Sequence, residues 1–282
     1  MLMNIHKLLK IIFGVAIVGV ILYGVNVGLF YFNQEDILFQ EPDLSEERAA
    51  EVVRENDRVE EITMEVEEGV SLHGWLLESQ SESSDPAPLL IYFGGNSEEL
   101  SRSFDQFSSM DDWSVLLMNH RGYGLSEGTP SERNLFHDAR YMYDELTARE
   151  DIDSSRVVVM GRSMGTAPAT HLSKERDVSG TILVSPYDTR TRLMEHRQPY
   201  LPVKWLIRHP FKLSEKAGEI DSPLLAFLAT EDEVIPPEHS EVTVESWSGE
   251  AEIVWLEGYD HNDLQGSPDF LDNIHRFLDE VQ

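Results

Sequence analysis

The sequence contains no cysteine. That excludes disulfides, thiolate zinc sites, a cysteine nucleophile and a lipidated cysteine anchor. Basic residues are scarce. There are 22 Lys and Arg against 52 Asp and Glu, only six of the 22 are lysine, and the formal net charge is −30. A surface of that sign repels phosphate backbones, so no nucleic-acid partner is expected. Neither a cluster of metal ligands nor a nucleotide-binding loop is evident, so no metal and no cofactor are expected. What is present suffices for a core: 282 residues, 41% hydrophobic and 26% charged, enough for one or two globular domains.

The N-terminus differs from the rest. Residues 11–32 carry no charge, and Asn26 is the one strongly polar side chain among them. Twenty-two residues at 1.5 Å each give about 33 Å of helix, enough to cross a hydrocarbon core of roughly 30 Å. A cleaved signal peptide would show a shorter apolar core and a small-x-small cleavage site, and neither is seen. Lys7 and Lys10 precede the run and Glu35 and Asp36 follow it. That asymmetry orients the N-terminus to the cytoplasm and places the body on the far side of the membrane. The expected organisation is an anchor at 1–34, an acidic connector at 35–61 and an α/β catalytic domain at 62–282.

The acid is not confined to a tail. Residues 35–282 hold all 52 acidic and 20 of the 22 basic side chains, a body charge of −32. Short acidic clusters recur along it. This reads as adaptation to high salt, where screening lengths shrink to a few ångströms and dense carboxylates keep the surface hydrated. A cationic partner is the alternative account.

The body alternates short apolar runs with amphipathic stretches. Strands are expected at 62–66, 70–77, 89–93, 115–118, 157–160, 181–184, 224–228 and 252–256. Glu68-Gly69 marks a hairpin between the first two. Helices are expected at 97–110, 130–149, 164–176 and 268–281, with a shorter one at 45–56. Apolar strands alternating with helices predict a mostly parallel sheet covered on both faces.

Gly-x-Ser-x-Gly marks a sharp strand-to-helix turn with a serine at its tip. With 18 Gly and 26 Ser, about 0.1 chance matches are expected, so the pattern alone is moderate evidence. It occurs twice, at 124–128 around Ser126 and at 161–165 around Ser163. Context separates them. The run Val157-Val158-Val159-Met160 leads directly into Gly161, and Thr166-Ala167-Pro168-Ala169 starts a helix of small residues. Ser126 sits well past its strand in the loop Asn119-His120-Arg121-Gly122-Tyr123-Gly124. Ser163 is therefore the expected nucleophile and Ser126 a loop residue.

A serine hydroxyl needs a base and the base an orienting acid, in chain order Ser, Asp or Glu, His for this sheet type. The loop after the 224–228 strand reads Thr230-Glu231-Asp232-Glu233. Asp232 is the expected acid. Glu231, Glu233 and the more remote Asp188 are its rivals, read as solvated charges. His261 lies in the last loop before the last helix and is the expected base. An oxyanion hole needs two backbone donors. One is expected from Met164, just after the nucleophile, and one from the loop Gly94-Gly95-Asn96-Ser97.

These residues resemble the α/β-hydrolase superfamily, in particular a membrane-anchored esterase/lipase branch that includes bud-emergence-type proteins. The similarity covers nearly the whole chain. It is carried by Ile-Leu-Phe-Gln-Glu-Pro at 37–42, Ile91-Tyr92-Phe93-Gly94-Gly95-Asn96, the stretch 121–131, the elbow 161–168, Tyr200-Leu201-Pro202-Val203-Lys204-Trp205-Leu206-Ile207, and the loops of Asp232 and His261. The resemblance implies a mostly parallel α/β-hydrolase sheet and a structural role for the Arg-Gly-Tyr-Gly loop. It also implies Asn96 and Met164 as the oxyanion donors. The chain departs from the family's common His-Gly in having Gly94-Gly95.

Members of this family cleave acyl esters, thioesters, lysophospholipids and some peptides, and the fold does not choose among them. The expected substrate is a small acyl ester or lipid. Residues 188–218 lie where lids sit, and Tyr200, Trp205, Leu206, Ile207 and Phe211 could wall an acyl groove or simply pack on the sheet. The competing functional class is a membrane-tethered binding protein on a hydrolase scaffold.

Overall fold

In a computed structural model, the structure describes residues 5–281 except 82 and 84. Eight strands form one sheet: β1 (Val59–Glu67), β2 (Val70–Leu77), β3 (Ala87–Phe93), β4 (Ser114–Met118), β5 (Ile152–Arg162), β6 (Gly180–Val184), β7 (Leu224–Ala229) and β8 (Ala251–Leu256). Their order is β1-β2-β4-β3-β5-β6-β7-β8. β2 runs antiparallel to β1 and β4, and every pairing from β4 through β3 to β8 is parallel. The fold is that of an α/β hydrolase, as expected.

Continuous apolar runs form the central strands because both faces of the sheet are covered. In β3, Leu90 and Tyr92 join one core with Trp75, Leu117 and Phe227. Leu89, Ile91 and Phe93 point the other way and join a second core with Leu116, Val159 and Leu183. Each such leucine, fully buried, contributes about 1.5–3 kcal/mol.

The helices are α1 (Ile5–Leu38), α2 (Glu46–Glu55), α3 (Phe104–Phe107), α4 (Glu132–Thr147), α5 (Thr166–Glu175), α6 (Arg190–Arg197), α7 (Val203–Leu206), α8 (Leu213–Ala217), α9 (Pro237–Glu245) and α10 (Pro268–Glu280). α2, α3 and α10 pack on the first face, and α4, α5, α8 and α9 on the second. α10 shows why these stretches are helical. Phe270, Ile274, Phe277 and Leu278 recur at helical spacing and are buried. Pro268 opens the helix and the Ser267 side chain caps the amide of Asp269.

The helix expected over 97–110 does not form as one element. A single turn at Leu100–Arg102 is followed by the four-residue α3. Ser97 has φ +60 and blocks a helical start. Glu99 and Glu98 side chains take the amides of Ser101 and Gly95, so local side-chain bonds compete with the helical ladder.

α1 runs four residues past the expected end of the anchor, and its 34 residues make about 51 Å of helix. It is long and apolar enough to cross a membrane, and none of its most apolar window is buried. Its C-terminal end is docked instead: Gln34 is buried, and Phe39 beyond it packs with Tyr123, Tyr187 and Phe211. The segment after it is structured. Ser45 caps α2 through the Arg48 amide, and Ala49 and Val52 reach the core. β1 begins at Val59, three residues ahead of the expected strand.

Candidate active site

β5 ends at Arg162, and Ser163 follows with φ +52, in the left-handed region that non-glycine residues seldom adopt. The flanking glycines are required by space. A Cβ on Gly161 would lie 2.3 Å from the Gly165 carbonyl oxygen, and one on Gly165 would lie 2.1 Å from that of Phe93. The chain then enters α5. Pro168 falls in its first turn, where the missing N–H leaves no bond unmade.

Ser163 meets the other expected residues at the carboxyl edge of the sheet. His261, in the loop after β8, places Nε2 2.9 Å from Ser163 Oγ. Its Nδ1 lies 2.7 Å from Oδ2 of Asp232, in the loop after β7. The carboxylate accepts from Nδ1–H, which leaves Nε2 to accept from the serine hydroxyl. Oδ1 of Asp232 accepts from the amides of Val234 at 2.9 Å and Ile235 at 2.7 Å. Burial acts to raise the Asp232 pKa, but the bond and charge of His261 and the Ile235 amide outweigh it and hold the carboxyl below the usual aspartate value. Asp232 therefore stays ionised against the imidazole.

The rivals are placed elsewhere. Glu231 and Glu233 are exposed. Asp188 is not a solvated charge. It is fully buried, with His239 Nδ1 at 2.9 Å and Arg192 Nη1 at 2.9 Å. Ser126 is buried too, and its hydroxyl accepts from the His73 amide at 2.9 Å and donates to the Asn119 carbonyl at 3.0 Å. It stitches its loop to β2. Arg121 of the same loop is buried against Asp138 through two bonds of 2.8 and 2.6 Å.

The loop after β3 is held from both sides. His120 Nε2 donates to the Gly94 carbonyl at 3.0 Å, and the Gly95 amide donates to Glu98 at 2.7 Å. With the Gly95 amide committed, Asn96 is the next along. Its side chain accepts from the Gln40 amide at 2.8 Å and donates to the Ile37 carbonyl at 3.3 Å. Asn96 and Met164 line one cavity of about 250 Å³ together with Ser163 and His261.

Several residues of this site had no distinguishing signal in the sequence. Arg162, an unspecified position of the elbow motif, donates to the His261 carbonyl at 3.0 Å and pairs with Glu98 at 3.3 Å. It ties the histidine loop to the Gly95 loop. Ile37 and Leu38, from the end of α1, form part of the cavity wall. Arg190 and Arg197 line it from α6. Arg190 donates to the Gln34 carbonyl at 3.2 Å, and burial pulls its guanidinium down to about 10. Among the described residues, no Asp or Glu lines the cavity.

Comparison with known proteins bears on the family and the fold. Residues 85–208 match the family described as serine aminopeptidase, S33. The chain is 30% identical over 271 residues to the uncharacterized protein Rv2307c of Mycobacterium tuberculosis, covering 95% of this chain and 94% of that one. It is 30% identical over 244 residues to the alpha/beta hydrolase domain-containing protein WAV2 of Arabidopsis thaliana, covering 78% and 77%. Among solved structures, an alpha-beta hydrolase from Vibrio vulnificus superposes with a TM-score of 0.67 at 18% identity, covering 90% and 91%. An acetyl xylan esterase from Paenibacillus sp. R4 superposes with a TM-score of 0.61 at 17% identity, covering 88% and 99%. The two superpositions share the fold. The chain belongs to the α/β-hydrolase family.

Proposed function

We propose that this protein is a membrane-anchored serine hydrolase that cleaves a carboxylic ester or thioester of an acyl or lipid-like substrate. The observation that carries the reading is the hydrogen-bonded series from Ser163 through His261 to Asp232, opening on a cavity. Ser163 Oγ attacks the acyl carbon as His261 Nε2 takes its proton. The carbonyl oxygen gathers negative charge in the tetrahedral intermediate, and the amides of Asn96 and Met164 donate to it. His261 returns the proton to the leaving alcohol or thiol, and Ser163 is left acylated. A water molecule, deprotonated by the same histidine, then releases the acid and restores the serine.

The match to a family described as serine aminopeptidase raises peptide substrates. A peptide's free ammonium would want a carboxylate in the cavity. The charged groups there are the guanidinium ions of Arg162, Arg190 and Arg197, which favour a neutral or anionic substrate. A scaffold that only binds would need neither the serine–histidine bond nor the strained φ of Ser163.

The anchor reading rests on α1. Lys7 and Lys10 before its apolar run orient the N-terminus inward. The body then lies outside the cytoplasm, and protease added to intact spheroplasts removes it. Protection in intact spheroplasts with cleavage after lysis would reverse that topology. The activity is tested with a series of p-nitrophenyl esters of increasing chain length against the full chain and His261→Ala. Turnover that survives His261→Ala would discard the mechanism.

A further inference from the structure

Residues 198–208, between α6 and α8, lie along the outside of α1. Tyr23 Oη donates to the Tyr200 carbonyl at 3.0 Å. At the other end Gln34 Nε2 donates to the Leu206 carbonyl at 3.1 Å, and its Oε1 accepts from the Arg208 amide at 2.8 Å. The Arg208 guanidinium stands 4.4 Å over the ring of Tyr31. Tyr23 and Gln34 are eleven residues apart, about 16 Å of helix. The segment is therefore pinned to α1 over a length comparable to one leaflet of a bilayer.

Three observations say what surrounds it. The first is exposure. Tyr200 and Trp205 are each 85% exposed, and many apolar side chains of α1 are exposed too. The segment is tethered to α1 at Tyr23, Tyr31 and Gln34, so the medium that receives that part of α1 reaches the segment as well. The second is the backbone, part of which bonds to itself or to α1. The amides of Leu201, Trp205 and Ile207 bond to Gln198, Pro202 and Val203. Pro199 and Pro202 have no N–H, and Tyr23 and Gln34 occupy the carbonyls of Tyr200 and Leu206. Each such bond lowers the cost of bringing backbone near lipid, where less water is there to replace it. The third is charge. Residues 198–208 carry Lys204 and Arg208 and none of the 52 acidic side chains, and Arg208 is paired with Glu35 of α1 at 3.1 Å. A basic and aromatic stretch in a body of this acidity fits an anionic headgroup layer with Tyr and Trp at the acyl boundary.

We propose that residues 198–208 dock into the leaflet on the body's side of the membrane, with Tyr200 and Trp205 at the acyl boundary and Lys204 among anionic headgroups. From that position the Ser163 cavity takes acyl-ester lipids out of the same leaflet. Ile37 and Leu38 at the end of α1, and Met194 and Arg197 directly before the docked segment, already line that cavity. The docking rests on the anchor reading of α1, together with geometry and charge. The lipid substrate rests on the hydrolase reading above.

The test uses the full chain in nanodiscs of phosphatidylcholine mixed with phosphatidylglycerol. Lipids brominated near the headgroup quench the part of the tryptophan emission that Trp205→Phe removes. Absence of that quenching overturns the docking, whatever the enzyme does. Turnover of an acyl-ester lipid in the same discs falls about fivefold or more in Lys204→Glu, since one basic residue at an anionic surface carries that much binding. A soluble short-chain ester stays within about twofold, as for an ordinary surface change. Equal lipid turnover by Lys204→Glu, Trp205→Ser and the unaltered chain overturns substrate entry from the leaflet. If the unaltered chain cleaves neither ester, the hydrolase reading fails, and the quenching still decides the docking.

Discussion

The pattern Gly-x-Ser-x-Gly occurs at 124–128 and again at 161–165, and the two copies use their glycines for opposite reasons. At 161–165 the glycines are needed for room, because backbone oxygens lie 2.3 and 2.1 Å from where a Cβ would sit. The serine between them takes the left-handed conformation, with φ +52. At 124–128 the glycines themselves take it, with φ +58 and +80. There the serine hydroxyl is consumed by main-chain groups of β2 and its own loop. A turn that puts its serine in the left-handed region presents a hydroxyl to a cavity, whereas a turn that puts its glycines there, at no strain, ties the hydroxyl down. The five-residue pattern is the same in both, and the element it follows decides the outcome.

The largest effect separates the two serines. Ser163→Ala should lower kcat by about 10⁶, the scale of losses for a unit of this kind. Ser126→Ala should keep kcat within about tenfold but lose roughly 1–3 kcal/mol of stability, because it strands buried groups. Ester turnover and urea denaturation on both variants read the contrast. Asp232→Asn should come next, with a loss of about 10⁴ in kcat at unchanged fold, as its amide disturbs the histidine's tautomer. Gly165→Ala and Gly128→Ala then test the two kinds of glycine. The first drives a methyl into the Phe93 carbonyl and should leave little folded protein. The second meets side chains no nearer than 3.0 Å and should cost about 1–2 kcal/mol for its left-handed φ. Equal melting temperatures for those two variants would contradict the distinction.

How much of this was legible in the sequence follows from the same comparison. The strand, turn and helix around Ser163 were readable, since Val157-Val158-Val159-Met160 can only be a buried strand at that length. His261 and Asp232 followed from chain order, and the structure brings both within hydrogen-bond distance of their partners. The segment 97–110 misled, because its helical spacing was overridden by Glu98 and Glu99 bonding to nearby amides. Arg162 and the cavity wall at Ile37 and Leu38 could not be read. Their roles arise from contacts across 99 residues to His261 and across 59 to Asn96. The buried Asp188–His239 pair escaped notice for the same reason.

Two smaller effects sharpen the account of the body. Its charge of −32 over residues 35–282 places many like charges within a Debye length of about 30 Å at 0.01 M, which shrinks to about 3 Å at 1 M. We expect the melting temperature to rise steeply between dilute and molar NaCl, and equally in KCl. No change would remove salt adaptation as the reason for the acid and favour a cationic partner. The smallest effect lies on α5, directly behind the elbow. Burial and the nearby charges of Lys216 and Arg140 pull the His171 pKa from 6.5 to about 4. Between those values the unfolded chain binds a proton that the folded chain refuses, so stability is lost as pH falls through that window. His171→Gln should flatten the fall in melting temperature from pH 6.5 to about 4, and an unaltered slope would assign it to other groups.

The most direct measurement of the central claim is covalent. A fluorophosphonate reacts with a serine only where a base has activated the hydroxyl and an oxyanion site receives the phosphoryl oxygen. Labelling the full chain and locating the adduct by peptide mass spectrometry should place it on Ser163, with labelling abolished in His261→Ala. An adduct on Ser126, or labelling of Ser163 that persists without His261, would contradict the account.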